Sequence, residues 1–119
     1  MMRQLDQLHG CRFESVRFSK TAITMELERM SEGVFARYEL SIAGMLLGAE
    51  GEQLENDVAC VSLVSLLECE IEGAQADTEA QVLAISFVGG SSVHFSADGL
   101  CSDNVAILRD KQTADWLAV

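Results

Sequence analysis

Apolar residues recur at every second position in six stretches of this chain, and the stretches fall into two matching sets. The first set opens Cys11-Arg12-Phe13-Glu14-Ser15-Val16 and the second, about sixty residues on, Cys69-Glu70-Ile71-Glu72-Gly73-Ala74. In each, the apolar parity shifts once, so that Phe13 gives way to Val16 and Phe18, and Ile71 to Ala74 and Ala76. Side chains alternate across a strand with period two, so one such shift predicts a β-bulge. Further alternating runs follow in both sets. The first continues with Ile23, Met25, Leu27 and then Ala36, Tyr38, Leu40, Ile42; the second with Leu83, Ile85, Phe87 and then Val93, Phe95. The pattern predicts an α+β, mainly β fold: two antiparallel three-stranded meanders joined by a loop and one short helix. The length of 119 residues predicts one domain, 1–119, with a pseudo-repeat over 8–42 and 66–96.

Turn chemistry marks the strand ends. Ser19-Lys20, Ser31-Glu32-Gly33, Asp77-Thr78-Glu79, Gly89-Gly90 and Asp98-Gly99 separate the runs. The expected strands of the first set are Cys11 to Phe18, Thr21 to Glu28 and Val34 to Ile42. Residues 1–10 are a lead-in whose Leu5 and Leu8 cover an edge of the core. Between the sets, Gly44 to Gly48 is apolar and 49–57 is an acidic loop. Val58 to Leu67 is almost wholly apolar. Its length favours a helix, capped by Asn56 or Asp57; a ten-residue buried strand, suggested by Val58, Val61 and Val64, is the competing reading. Val105 to Leu108 can add a strand, and Thr113 to Val119 is expected to dock the Trp116 indole on the core.

Charge changes the picture more than composition does. Eight Lys and Arg face nineteen Asp and Glu, a formal charge of −11. Such a field repels nucleic acid and anionic membrane, and accelerates encounter with a basic protein. No run is long and apolar enough to span a bilayer, and Met1 to Asp6 lacks the apolar stretch of a secretory signal, which predicts a cytoplasmic protein. Cys11, Cys60 and Cys69 lie in apolar runs and are expected as free, buried thiols, with Cys101 exposed in a polar loop.

Catalytic signatures are absent from the sequence: no nucleophile elbow, no phosphate-cradling glycine loop, no H-E-x-x-H. No C-x-x-C pair exists, and the acidic loop departs from the calcium-loop pattern, so no metal and no cofactor are expected. His94 is expected on the solvent side of its strand, and His9 at the mouth of the first. The carboxylates occupy polar positions of alternating runs. Glu68, Glu70 and Glu72, two residues apart, are expected to project from one strand face as an anionic ladder, either as a plain solvated face or as a docking surface for Lys and Arg. Loop residues Glu50, Glu52, Glu55 and Asp57 can reach a partner's basic cleft, with Glu26, Glu28 and Glu39 as further contacts. An interface also needs an apolar anchor. Phe35, Tyr38 and Trp116 are the candidates, and Phe35 is the strongest because Ala36 and Tyr38 claim the opposite face.

The succession L-x-G-C-x-F-E-x-V at 8–16, L-L-E-C-E-I-E at 66–72 and A-I-S-F-V-G-G-S-S-V-H-F at 84–95 resembles small β-rich bacterial domains. These occur among uncharacterised proteins and among immunity proteins of polymorphic or contact-dependent toxin systems. The resemblance implies a non-enzymatic cytosolic protein that binds a basic toxin, often a nuclease, and occludes its active site. The alternative expectation is a housekeeping or self-associating β-domain, for instance a homodimer through a strand edge. A small hydrolase is the third class, and it requires a carboxyl with a raised pKa in an apolar pocket.

Overall fold

The computed structural model describes residues 2–100 and 103–119. Its strands are β1 (Met2–Gln4), β2 (Arg12–Phe18), β3 (Ile23–Ser31), β4 (Val34–Ile42), β5 (Met45–Leu46), β6 (Ile71–Asp77), β7 (Val82–Phe87), β8 (Ser92–Ser96), β9 (Ala106–Asp110) and β10 (Trp116–Ala118). One helix, α1 (Asn56–Val64), separates β5 from β6, and a short 3₁₀ turn spans Asp6–Leu8. The fold is mainly β, with two antiparallel sheets and one short helix, as the alternation predicts. The sheets are wider than expected. Each has five strands: β1-β6-β7-β8-β5 in sheet I and β10-β9-β4-β3-β2 in sheet II.

The added strands come from exchange between the halves. β5 follows β4 but pairs with β8 in sheet I, and β9 follows β8 but pairs with β4 in sheet II. At the first crossing Gly44 passes directly over Ser96. A Cβ there would lie 2.8 Å from the Ser96 carbonyl carbon and oxygen, so the crossing requires glycine. The inner faces of both sheets meet in one hydrophobic cluster that holds Phe13, Met25, Leu40, Leu83, Ile85 and Phe95. The Phe13 and Phe87 rings, one from each half, lie 6.3 Å apart at its centre. Leu5 and Leu8 are buried in the same cluster.

Both bulges are present. The register shifts between Phe13 and Ser15 opposite β3, and between Ile71 and Gly73 opposite β7. Glu14 and Glu72 are thus the extra residues, and the following Val16 and Ala74 pair opposite the core residues Met25 and Ile85.

The repeat extends to individual hydrogen bonds. Gly10 N–H donates to the Ile71 carbonyl at 2.9 Å, and Glu68 N–H to the Phe13 carbonyl at 2.7 Å. Ile71 N–H donates to Cys11 at 2.7 Å, and Phe13 N–H to Cys69 at 3.0 Å. A shift of 58 residues, from Cys11 to Cys69, turns each bond of a pair into the other. The approach turns match too: Leu8 N–H donates to Leu5 at 3.1 Å, and Leu66 N–H to Leu63 at 3.0 Å. The two halves therefore meet about a pseudo-twofold axis at the Arg12 and Glu70 bridge.

Several local expectations are corrected. β3 begins at Ile23 and runs on to Ser31, because Arg29 and Met30 keep pairing with Ala36 and Phe35. The helix ends at Val64, and Ser65 to Glu68 form turns that deliver the chain to β6. Its N-cap is Glu55, with no side-chain cap bond, rather than Asn56 or Asp57. Asn56 instead donates from its side chain to the Ser19 carbonyl at 3.3 Å. Trp116 does not dock; it is 66% exposed, and Val119 is the terminal residue buried in the core. Cys11 is buried, Cys60 and Cys69 are half-buried, and all three are free thiols; Cys101 lies outside the described residues.

Candidate partner-binding surface

The helix α1 is apolar on both of its sides, and only one side has a place in the core. At 100° per residue, Ala59 and Leu63 point inward and are fully buried. Val58, Val61 and Val64 recur at three-residue spacing on the other side, 50%, 75% and 47% exposed. Valine is a mediocre helix former and gains nothing from exposure. A nine-residue helix is about 14 Å long, and this ridge of three valines runs along most of it.

Carboxylates flank the ridge at both ends. Glu55 and Asp57 stand at the start of α1, where negative charge also suits the helix dipole. Val58 N–H donates to the Asp57 carboxylate at 2.9 Å. Glu68 and Glu70 follow the end of the helix, on the path into β6. All four are exposed, and among the described residues none forms an ion pair.

Three features of the expected site change. First, Glu68, Glu70 and Glu72 are exposed but do not form a regular strand ladder. Glu68 has a left-handed backbone (φ +71), β6 begins only at Ile71, and Glu72 sits in the bulge. Second, the acidic loop divides. Glu50 and Glu52 belong to a tight turn, in which the Glu52 carboxylate accepts from Glu50 N–H at 3.0 Å. Gln53 anchors that turn by donating to the Asp98 carbonyl at 3.1 Å. Glu55 and Asp57 belong to the helix. Third, Phe35 belongs to a different element from these groups. It is 37% exposed at the distal end of the β3–β4 hairpin, paired with Met30, and the Arg37 guanidinium lies 6.0 Å from its ring centre. Tyr38 is buried and offers no anchor.

Glu26, Glu28 and Glu39 are also engaged elsewhere. On the outer face of sheet II, Arg37 meets Glu28 at 3.1 Å, Arg17 meets Glu39 at 3.2 Å and Glu26 at 3.7 Å, and Arg109 and Lys111 approach Glu39 and Glu26 at 3.9 Å. Arg12 and Glu14 meet at 2.6 Å on the same face, and that contact holds the guanidinium pKa above its usual value. Five of the eight Lys and Arg are therefore concentrated here (Arg12, Arg17, Arg37, Arg109, Lys111), matched by four glutamates. The excess negative charge belongs to the rest of the molecule. Arg29, outside this group, donates to the carbonyls of Gln7 and His9 at 2.8 and 3.0 Å.

Other titratable groups have structural surroundings. Burial pushes the Cys11 thiol up to about 11, against the opposing pull of Arg29. Burial likewise raises Tyr38. Asp77 is held below the usual carboxylate range, first by the Ala80 N–H and then by that of Glu79, each 3.1 Å away. Its pKa moves opposite to that of a general acid. No Asp or Glu among the described residues is buried. His94 is exposed, and the His9 ring nitrogen Nδ1 lies 2.6 Å from the Glu72 carbonyl. A cleft of about 620 Å³ opens between the Ser19–Ile23 turn, the Ala43–Met45 crossing and the start of α1; among the described residues that line it, Lys20 and Glu55 are titratable. No cluster of three metal-ligating side chains occurs among the described residues, and no helix is long and apolar enough to cross a membrane.

The valine ridge is the feature that sequence reasoning missed. Val58, Val61 and Val64 were visible as a threefold spacing, yet without the position of the core their side of the helix could not be assigned. Comparison with known proteins finds no matching family model, no similar curated protein and no similar solved structure.

Proposed function

We propose that this chain is a stoichiometric binding protein of the immunity type, which meets a basic protein toxin in the cytoplasm and occludes its substrate cleft without chemistry of its own. One observation supports the reading above the others. Most of the positive charge is gathered on the outer face of sheet II and ion-paired there, which leaves Glu55, Asp57, Glu68 and Glu70 without a salt bridge among the described residues, although the Arg12 guanidinium feels the charge of Glu68. A surface so organised attracts a cationic protein at long range and in a salt-sensitive way. A nuclease, whose cleft is built to receive phosphates, has the complementary sign.

The test is to sequence the genes flanking that of this chain and co-express it with any toxin-like domain they encode; flanking genes that encode none count against the reading. The reading expects growth to be rescued and the purified toxin to be inhibited at one-to-one stoichiometry. Charge reversal at Glu55, Asp57, Glu68 and Glu70 should weaken inhibition and flatten its salt dependence. Undiminished inhibition by that variant at low ionic strength rejects the charge mechanism.

A second reading, self-association, draws on a different surface. The outer face of sheet II is close to neutral and carries exposed Met30, Phe35 and Trp116 beside its arginines. That composition is enriched at protein interfaces. Light scattering of the Trp116→Ser variant against the parent decides it, since only a dimer through this face loses mass.

A further inference from the structure

We infer that the outward side of α1 is the docking surface for that partner: Val58, Val61 and Val64 form its desolvated centre, and the carboxylates at the two helix ends form its rim. The inference rests on the proposed function and adds where binding occurs and what the partner must present. An apolar side of a helix is ordinarily buried, with exposure left to the polar positions, which in α1 are Asn56, Asp57 and Ser62. Here the inward side is satisfied by Ala59 and Leu63, while Val61 on the other side is three-quarters exposed. The fold therefore leaves half of this helix unpartnered.

Charge identifies the occupant. A second copy packed on this face by a twofold axis would set the same patch against itself. Glu55 and Asp57 would then meet either their own equivalents or Glu68 and Glu70, negative against negative at both ends. A cationic surface with an apolar centre has the opposite relation. Its side chains cover the valines, and its Lys or Arg groups reach the carboxylates at either end. In such interfaces a small apolar centre holds most of the affinity, while rim charge sets encounter rate.

The probe is a synthetic helical peptide with leucines along one side and two lysines at each end. A second peptide of equal charge replaces the leucines with serines. Binding is followed by amide chemical shifts of the full chain and by fluorescence anisotropy. The leucine peptide should perturb the amides from Asp57 to Ser65 and bind about tenfold more tightly than the serine peptide. Val61→Ser should remove about that tenfold, while Phe35→Ser changes nothing. Circular dichroism should be the same for both variants and the parent, because each side chain is exposed.

Three results overturn the inference. If both peptides bind equally and perturb only the carboxylate-bearing segments, the ridge is not the centre, although the acidic reading survives. If neither binds at low salt, both fall. If the α1 amides shift with protein concentration when no peptide is present, the occupant is a second copy.

Discussion

The two halves of this protein share a skeleton down to individual hydrogen bonds, yet they are entered differently. The first half is approached by β1, which pairs with β6 and widens sheet I. The second is approached by α1, which packs against β2 and adds no strand to sheet II on that side. Past that entry the halves converge on the same tight turn, the same left-handed residue and the same bulge, with Leu8, Gly10 and Phe13 in one matching Leu66, Glu68 and Ile71 in the other. What the halves have in common is what the fold requires. The helix, its outward valines and its flanking carboxylates occur once, so their presence is not a requirement of the shared skeleton.

The comparison is broken most forcefully at its centre. Phe13 and Ile71 occupy equivalent positions and both are fully buried. Phe13→Ala should cost about 3–5 kcal/mol and Ile71→Ala about 2–5 kcal/mol, from lost burial plus an unfilled cavity. Because the core is one cluster, each substitution should lower a single cooperative urea transition. Two separate transitions, one per half, would show that the halves are stable independently and that the exchange of β5 and β9 contributes little.

Equivalent cysteines supply the next contrast. Cys11 is fully buried and its thiol is pushed up to about 11, whereas Cys69 is half-buried. The unfolded thiol ionises near pH 9, so between about 9 and 11 the unfolded chain releases a proton that the folded chain retains. Stability is therefore unaffected by this group below pH 9 and falls as pH rises towards 11, by about 2–3 kcal/mol in all. Denaturant titrations of the parent and of Cys11→Ala should diverge in pH dependence across that window and run parallel below it. A parent curve flat from pH 9 to 11 contradicts the burial argument. Alkylation of the folded protein should reach Cys69 well before Cys11.

How much of this could be read from the chain depends on the distance over which each feature is encoded. The bulges were legible because a parity change, Phe13 to Val16 or Ile71 to Ala74, is local. So was the Gly89-Gly90 turn, where both residues take positive φ. The crossing of β5 into sheet I was not, since Met45–Leu46 carries no period to recognise and its partner Phe95 lies some fifty residues away. Trp116 misled for a related reason. A lone indole near a terminus reads as core, but its register opposite Arg109 puts it on the outer face of sheet II. The carboxylates were identified individually; their arrangement was not, because the ladder spacing assumed regular strand through Glu68 and across the Glu72 bulge.

The smallest expected effect isolates a place where the second half departs from the glycine that the first half has at the equivalent position. Gly10 and Glu68 are equivalent and both left-handed, at φ +82 and +71. Glycine adopts that conformation without steric cost, whereas a residue with a Cβ loses roughly 1–2 kcal/mol there, partly offset by the greater freedom glycine loses on folding. Gly10→Ala should therefore destabilise by about 1 kcal/mol. The added Cβ would lie an ordinary 3.5 Å from Arg29 Cδ, so the loss comes from the backbone rather than a clash. Glu68→Gly should stabilise by about 0.5 kcal/mol, because it gives the second half the residue the first already has. The same substitution removes a rim carboxylate and should slow association with a cationic partner. Stabilisation combined with weaker binding would mean that Glu68 is kept against the preference of the fold for the sake of the surface. Stabilisation with unchanged binding would leave the strain without a functional reason.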